Sequence, residues 1–392
     1  MKLSKLSSSM TRTMNTEYAG VRKWSIIAIT VAITVLIISS TPVISSLTYH
    51  QSNYAYAQGT TPQKKVLRLG YFPNVNHAQA IIGIQTDDFK KQLGNNIDLQ
   101  PTTFNAGPSA IEALLAKRID ATYVGSNPAI NGYVASGGKD LRIISGAASG
   151  GAVFVVRNDS GINSPKDFAG KKFATPQLGN TQDVALRKYL LDNGYKTTEN
   201  GGNVTVVPVS NADTLTLFLK KQLDGAWVPE PWGAKLVKEG SGKILLDERS
   251  LWPQGKFVTN NLVVRTDYLQ NNPDVIKKLL AANVNETLWI NSHKEQAAKL
   301  LNDGIKKITG KAIPADELKA SLSRIDFTYD PLKLQLLQSA NNAFDVGYLG
   351  KQRPDLSGIF DTALLDQVLK EKKLPPLEQN ANATAASLGA VE

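Results

Sequence analysis

The 392-residue chain has no cysteine. That excludes disulfides, thiolate metal sites, iron–sulfur centres and cysteine nucleophiles together. It has only three histidines, His50, His77 and His293, too few for a histidine-rich metal cluster, so no metal or other cofactor is expected. No run of Lys and Arg is interleaved with aromatic residues, and a nucleic-acid partner is not expected either. What is present is ordinary for a globular protein: 42% hydrophobic and 20% charged residues, which excludes disorder for the bulk of the chain. The length calls for two or more folded units. The formal net charge is +10. Residues 1–57 contribute five basic residues against Glu17 alone, which leaves +6 for the remainder. An excess that small over so long a chain describes a solvated surface.

The first 57 residues carry an export pattern. Arg22 and Lys23 precede IIAITVAITVLII at 26–38, and a small-x-small sequence, Ala55-Tyr56-Ala57, comes before Gln58. The uncharged stretch 26–47 is also long enough to span a bilayer. Two outcomes follow: cleavage after Ala57, or retention as an anchor. Both place the folded part outside the cytoplasmic membrane, secreted or tethered. Residues 373–392 are expected to form a flexible tail. Four N-x-S/T sequons, at Asn158, Asn203, Asn285 and Asn382, are candidate glycan sites in an exported chain.

Between these ends, strand and helix patterns alternate every twenty to thirty residues, as in an open α/β sheet. Strands are expected over 66–71, 97–103, 119–124 and 141–145, with helices between them, the first over 76–91. The rhythm restarts after Gly150-Gly151, with strands over 153–157, 172–174, 204–208, 225–228 and 243–247. Past residue 260 a single strand, 262–265, is followed by helices alone. This predicts two α/β lobes: 64–150 with 255–372, and 151–248. The chain would cross between them near 147–153 and 248–260, leaving an interlobe cleft as the binding site.

Candidate ligand residues lie where strands end and helices begin, because free backbone N–H groups there face a ligand. Three turns qualify: Asn74-Val75-Asn76-His77, Gly125-Ser126-Asn127-Pro128 and Gly179-Asn180-Thr181-Gln182. Their candidates are Asn76, His77, Ser126, Asn127, Asn180, Thr181 and Gln182. The alternative for each is an ordinary N-cap. His77 can donate to an anion or cap its helix. In Trp227-Val228-Pro229-Glu230-Pro231-Trp232, two prolines stiffen an acid between two indoles. That turn either walls a pocket with Trp227, Glu230 and Trp232, or starts a helix with Glu230 in its first turn and the tryptophans in the core. A ligand-facing Glu230 would favour a zwitterion over a bare anion.

Five segments in register carry a family resemblance: GYFPNVNHA (70–78), FNAGPSAIEALLAKRIDATYVGSNPA (104–129), SGGKDLRI (136–143), ATPQLGNTQD (174–183) and DGAWVPEPW (224–232). Together they resemble the substrate-binding proteins of ABC importers for nitrate, aliphatic sulfonates and taurine. The likeness covers 64–265 by motif and extends to about 372 by length and helical character. It implies a periplasmic-binding-protein type II fold, two α/β lobes hinged over a small ligand, and it brings Asn105 toward the cleft. It implies a monomeric receptor that delivers a small organic anion or zwitterion to an ABC permease. An aliphatic sulfonate or taurine is the first expectation, and nitrate is possible. A related branch resembles the pyrimidine synthases of thiamine biosynthesis. Those carry a cysteine-rich metal motif that this chain lacks, so no enzyme activity is expected. The alternatives are a receptor for an aromatic heterocycle such as a thiamine-precursor pyrimidine, stacked on Trp227 or Trp232, and a tethered sensory ectodomain.

Overall fold

The computed structural model describes residues 64–377. The expected export signal or anchor at 1–57, and the expected tail beyond 377, lie outside those residues. The first run of elements is β1 (Lys65–Tyr71), α1 (Ala78–Gln85), α2 (Asp88–Leu93), β2 (Ile97–Thr103), α3 (Gly107–Leu115), β3 (Ala121–Val124), α4 (Ser126–Ala135) and β4 (Leu141–Gly150). The second is β5 (Ala152–Arg157), β6 (Lys172–Thr175), α5 (Thr181–Asp192), β7 (Thr205–Pro208), α6 (Asn211–Leu219), β8 (Gly225–Pro229), α7 (Trp232–Lys238) and β9 (Gly242–Asp247). The chain then returns through β10 (Val258–Arg265), α8 (Thr266–Asn271), α9 (Pro273–Ser292), α10 (Lys294–Thr309), α11 (Ala315–Leu322), β11 (Ile325–Phe327), α12 (Lys333–Asp345) and α13 (Ala363–Glu371).

These strands build two sheets, ordered β11-β4-β10-β3-β1-β2 and β7-β6-β8-β5-β9. Each has a parallel trio, β2-β1-β3 or β7-β6-β8. In each, an antiparallel strand flanks the third member: β10 beside β3, and β5 beside β8. The result is a two-lobed α/β fold of the periplasmic-binding-protein type II kind. The strand ends that open onto helices in both lobes face one another, which is where such sheets bind ligands.

The link from β4 to β5 is Gly150-Gly151, with φ of +76° and +74°. Both residues occupy the left-handed region that glycine alone enters freely. A Cβ on Gly150 would also meet the Arg324 carbonyl at 2.4 Å. The return from β9 to β10 runs through two 3-10 turns, Glu248–Leu251 and Pro253–Gly255. The two links lie side by side: Gly150 N–H donates to the Phe257 carbonyl at 3.3 Å, and Phe257 N–H donates to Ser149 Oγ at 3.2 Å.

The second lobe buries an aromatic core on one face of its sheet. Phe154 stacks on Trp227 at 5.3 Å and meets Phe173 edge-on at 5.0 Å. Such pairs add to the area they bury. The other face packs Val153, Val155, Ala226 and Val228 against Phe218 and Leu236.

Three expectations change. The helix predicted over 76–91 is broken into a 3-10 turn (Val75–His77), α1 and α2. The break is at Asp87, φ +61°, where the Thr86 hydroxyl, with Ile82 O and Asp88 Oδ2 both within reach of its one proton, sits at the end of the first helix. β4 runs five residues past its predicted end at 145. Its extension is glycine, alanine and serine, which carry little strand signal, and Gly146 lies so close to Asp330 that a Cβ would stand 2.0 Å from its carbonyl oxygen. The third change is β11, a three-residue strand on the edge of β4, too short for its alternation to register in the sequence.

Candidate functional site

Five helices begin at one cavity between the lobes. Asn76 and His77 precede α1. Asn105, Ala106 and Gly107 start α3, and Gly125 and Pro128 belong to the start of α4. From the second lobe come Asn180, Thr181 and Gln182 of α5 and Asn211 of α6. Phe72, Asn74, Thr259, Pro176 and Pro229 complete the wall. The enclosed volume is about 30 Å³, room for about two water-sized groups.

The way these helices are capped leaves donors for a ligand. Helices α1, α3 and α4 have no side-chain cap, and the N-cap of α4 is a glycine. Their first N–H groups have no intrahelical partner. In α5, Asn180 Oδ1 accepts from Asp183 N–H at 2.9 Å, the ordinary N-cap role, and the first two amides stay free. In α6 the cap is Ser210, whose Oγ accepts from Asp213 N–H at 3.2 Å. Each N-terminus carries about half a positive charge from the aligned peptide dipoles. No lining residue is Lys, Arg, Asp or Glu, so the dipoles set the field.

His77 contributes a neutral donor. Its Nδ1 accepts from Phe72 N–H at 3.3 Å, which places the ring proton on Nε2. The ring lies 4.4 Å from that of Phe72. Full burial lowers its pKa to about 3, because nothing nearby compensates a buried charge. Three other residues lining the cavity each carry a buried atom without a hydrogen-bond partner: Asn76 Oδ1, Thr181 Oγ1 and Asn211 Oδ1. An unmet polar atom costs about 1–3 kcal/mol, so the cavity is built for a polar occupant.

The lobes meet at contacts that ring this cavity. A Cβ on Gly125 would stand 2.3 Å from Thr181 Oγ1, so glycine is required for this approach. Asn131 Nδ2 donates to Gly179 O at 3.2 Å, Trp232 Nε1 to Asn74 Oδ1 at 3.2 Å, and Tyr348 Oη to Asp183 Oδ2 at 2.5 Å.

Of the residues singled out in the sequence, Asn76, His77, Asn105, Asn180, Thr181 and Gln182 line the cavity, Asn105 from its exposed rim. The others stand elsewhere. Ser126 Oγ donates to Asn127 Oδ1, and Asn127 Nδ2 donates to Ser339 O. Both side chains are spent inside the first lobe, and neither residue lines the cavity, which Gly125 and Pro128 reach instead. Trp227 is fully buried on Phe154, with Nε1 donating to Glu248 Oε2 at 2.7 Å. Glu230 is also fully buried. Its carboxylate accepts from Ala234 N–H at 2.9 Å, from Ser321 Oγ at 3.1 Å and from Arg324 Nη1 at 2.9 Å. Burial pushes its pKa up, while Ala234, Arg324 and Ser321 pull the other way. The pocket-wall reading of Trp227 and Glu230 thus gives way to the helix-start reading. A rigid turn puts one indole in the core and the acid on the start of α7. Trp232 stays half-buried on the far side of Asn74, off the cavity. Asn211 was missed, although Val209-Ser210-Asn211 repeats the strand-end, polar, helix-start signal of the other turns. Phe72 and Thr259 carry no signal of their own.

Among the described residues no group of His, Asp and Glu could hold a metal ion, and no helix is long and apolar enough to cross a membrane.

Residues 60–302 match the NMT1-like family. The chain is 24% identical over 319 residues to a Bacillus subtilis protein provisionally named an aliphatic sulfonates-binding protein, covering 80% of this chain and 91% of that one. Among solved structures it is similar to the alkanesulfonate-binding protein SsuA of Xanthomonas axonopodis pv. citri bound to MOPS. The TM-score is 0.64 at 19% identity, over 77% of this chain and 99% of that one. It is also similar to the periplasmic nitrate-binding protein NrtA of Synechocystis PCC 6803, with TM-score 0.63 at 16% identity, over 82% and 91%.

Proposed function

The chain belongs to the NMT1-like family, and from that premise we propose that it is a solute-binding receptor. It captures a small organic oxyanion of the sulfonate class outside the cytoplasmic membrane and presents it to an ABC permease. One observation carries this: five helix N-termini converge on an interlobe cavity whose lining residues hold no formal charge and carry three buried polar atoms without partners. Dipoles and neutral donors stabilise a sulfonate's spread charge without a buried counter-ion, which would carry its own desolvation cost. The names of the sulfonate-binding relatives support the same class. No covalent step is involved. Ligand in the cavity ties the lobes together and selects the closed form, which the permease distinguishes from the open one.

Taurine is an expectation of the family resemblance, and a ligand-facing Glu230 would have added to the case for a zwitterion. Arg324 and Ser321 hold that carboxylate elsewhere, so an ammonium group has no acidic partner at the cavity. A heterocycle fares no better, since neither tryptophan meant to stack on it lines the site. Nitrate is the second reading, favoured by the cavity's small volume.

Calorimetric titration of the purified protein with ethanesulfonate, taurine, nitrate and uncharged dimethyl sulfone tests this. The expected order is ethanesulfonate tightest, taurine weaker, and no heat from the sulfone. Nitrate binding alone would favour the second reading. Binding of none of the anions would refute both.

A further inference from the structure

The inner cavity is too small for more than an oxyanion head, so any larger ligand must have somewhere to put the rest of itself. A second pocket of about 230 Å³ abuts it, and Asn74, Asn105 and Asn211 line both. Its remaining walls include Ser210 and Thr309 as well as apolar and cationic residues. Trp232, Ile305 and Ile313 are apolar; Lys235 and Lys311 are cationic. Lys235 Nζ lies 4.6 Å over the Trp232 ring. No acidic side chain lines this pocket. The acid close to both lysines, Glu317, is buried behind the wall, with Oε2 unpartnered and its pKa pushed up by burial. Glu239 also lies near Glu317, but neither acid lines the pocket, whose own wall carries two positive charges and no negative one. Asp316, the next residue, is already bridged to Lys238 at 2.9 Å.

We propose that the ligand is bifunctional. Its compact oxyanion head sits in the inner cavity, and its apolar stem passes between Asn74, Asn105 and Asn211 along Trp232. A second anionic group at its far end, a carboxylate or another sulfonate, meets Lys235 and Lys311. The polar neck suits this path. Asn211 Oδ1 is buried and unpartnered where the two pockets join, and Asn74 is held by the Trp232 indole. The half-buried Trp232 would thus form the roof of the passage rather than the wall of the head site. This rests on the sulfonate-receptor reading, which it deepens by naming the tail.

The test compares propanesulfonate with 3-sulfopropionate in calorimetric titrations of the purified protein, with methanesulfonate as the head alone. The carboxylate-tailed ligand is expected to bind about tenfold tighter than propanesulfonate, the effect of one added charge-assisted contact. In the Lys235→Gln/Lys311→Gln protein the ratio of the two affinities should fall to about one. Neither lysine is buried, and the comparison within the unaltered protein stands by itself. Equal affinities for the two ligands, or a ratio that survives the double substitution, would overturn the bifunctional ligand and leave the receptor intact. Failure of methanesulfonate and all other anions to bind would remove both.

Discussion

Burial holds the His77 ring neutral throughout the physiological range, with a pKa of about 3 against about 6.5 in an unfolded chain. Between those values the unfolded chain binds a proton that the fold refuses. The stability this residue contributes is therefore complete above pH 6.5 and is lost as pH falls toward 3. At pH 4 the loss is ~3 kcal/mol. Urea unfolding of the unaltered protein and of His77→Gln, at pH 7.5 and pH 4, measures it. The unaltered protein should lose more stability between the two pH values than the variant, by about that amount. Equal losses would place the acid sensitivity at other groups. The same neutrality defines the role of His77 at the site. With Nδ1 accepting from Phe72 N–H, the ring offers an anion one N–H donor and no charge. The same is true of the amides, so every wall residue around the head is a hydrogen-bonding partner or an apolar surface.

At the scale of elements, the turns that the sequence exposed were those in which small or amide residues join a strand to a helix. Asn76, Asn180, Thr181 and Gln182 were legible because free helix N-termini need such residues. Trp227 and Glu230 misled because a rigid proline turn looks the same whether it faces a ligand or the core. Only packing separates the two cases, and here Phe154 takes the indole while Arg324 takes the acid. The break at Asp87 and the strand β11 were invisible for a different reason. One depends on the side chain of Thr86 and the other on the edge of β4, and neither leaves a periodic trace. The second interlobe link shows what such packing can conceal. Glu248 is almost completely buried there beneath Trp227, and burial raises its pKa to about 7. The sign is opposite to that of His77. The fold keeps a proton that the unfolded chain releases above about 4.5, so the contribution is complete below that pH and is lost as pH rises through 7. Glu248→Gln removes the charge and keeps an oxygen for the indole N–H. It should stabilise the protein by about 3 kcal/mol at pH 8 and by little at pH 4, as read by urea unfolding at both. A loss of stability at pH 8 would mean that the ionised carboxylate is the form the link requires.

For the whole molecule, the central question is how closing two lobes becomes conditional on a ligand. The contacts that join them are polar: Asn131 to Gly179, Trp232 to Asn74 and Tyr348 to Asp183 around the cavity, with the ion pairs Glu230–Arg324 and Lys238–Asp316 to one side. Each hydrogen bond exchanges water for a protein partner at a modest net gain, and the desolvation of buried Glu230 offsets much of its attraction to Arg324. The buried orphan atoms Asn76 Oδ1, Thr181 Oγ1 and Asn211 Oδ1 oppose closure around an unfilled cavity, and a bound oxyanion head with its own polar contacts offsets that cost. Gly125 and Thr181 form a close approach of the two halves, with no room for a Cβ at Gly125. Gly125 has φ of −66°, so alanine is tolerated by the backbone, and its methyl group obstructs only the approach to Thr181. Gly125→Ala should therefore leave thermal stability without ligand nearly unchanged while weakening binding of the preferred anion by about a hundredfold, ~3 kcal/mol of steric opposition to the closed form. Small-angle scattering should also lose the ligand-induced fall in radius of gyration. Adding Thr181→Ala removes the obstructing hydroxyl, and the double variant should close again on ligand, although it binds more weakly than the unaltered protein for want of that hydroxyl. If the single variant closes and binds as before, the lobes do not meet at this pair when ligand is held. Selection between open and closed forms would then fall to the Tyr348–Asp183 side of the cleft.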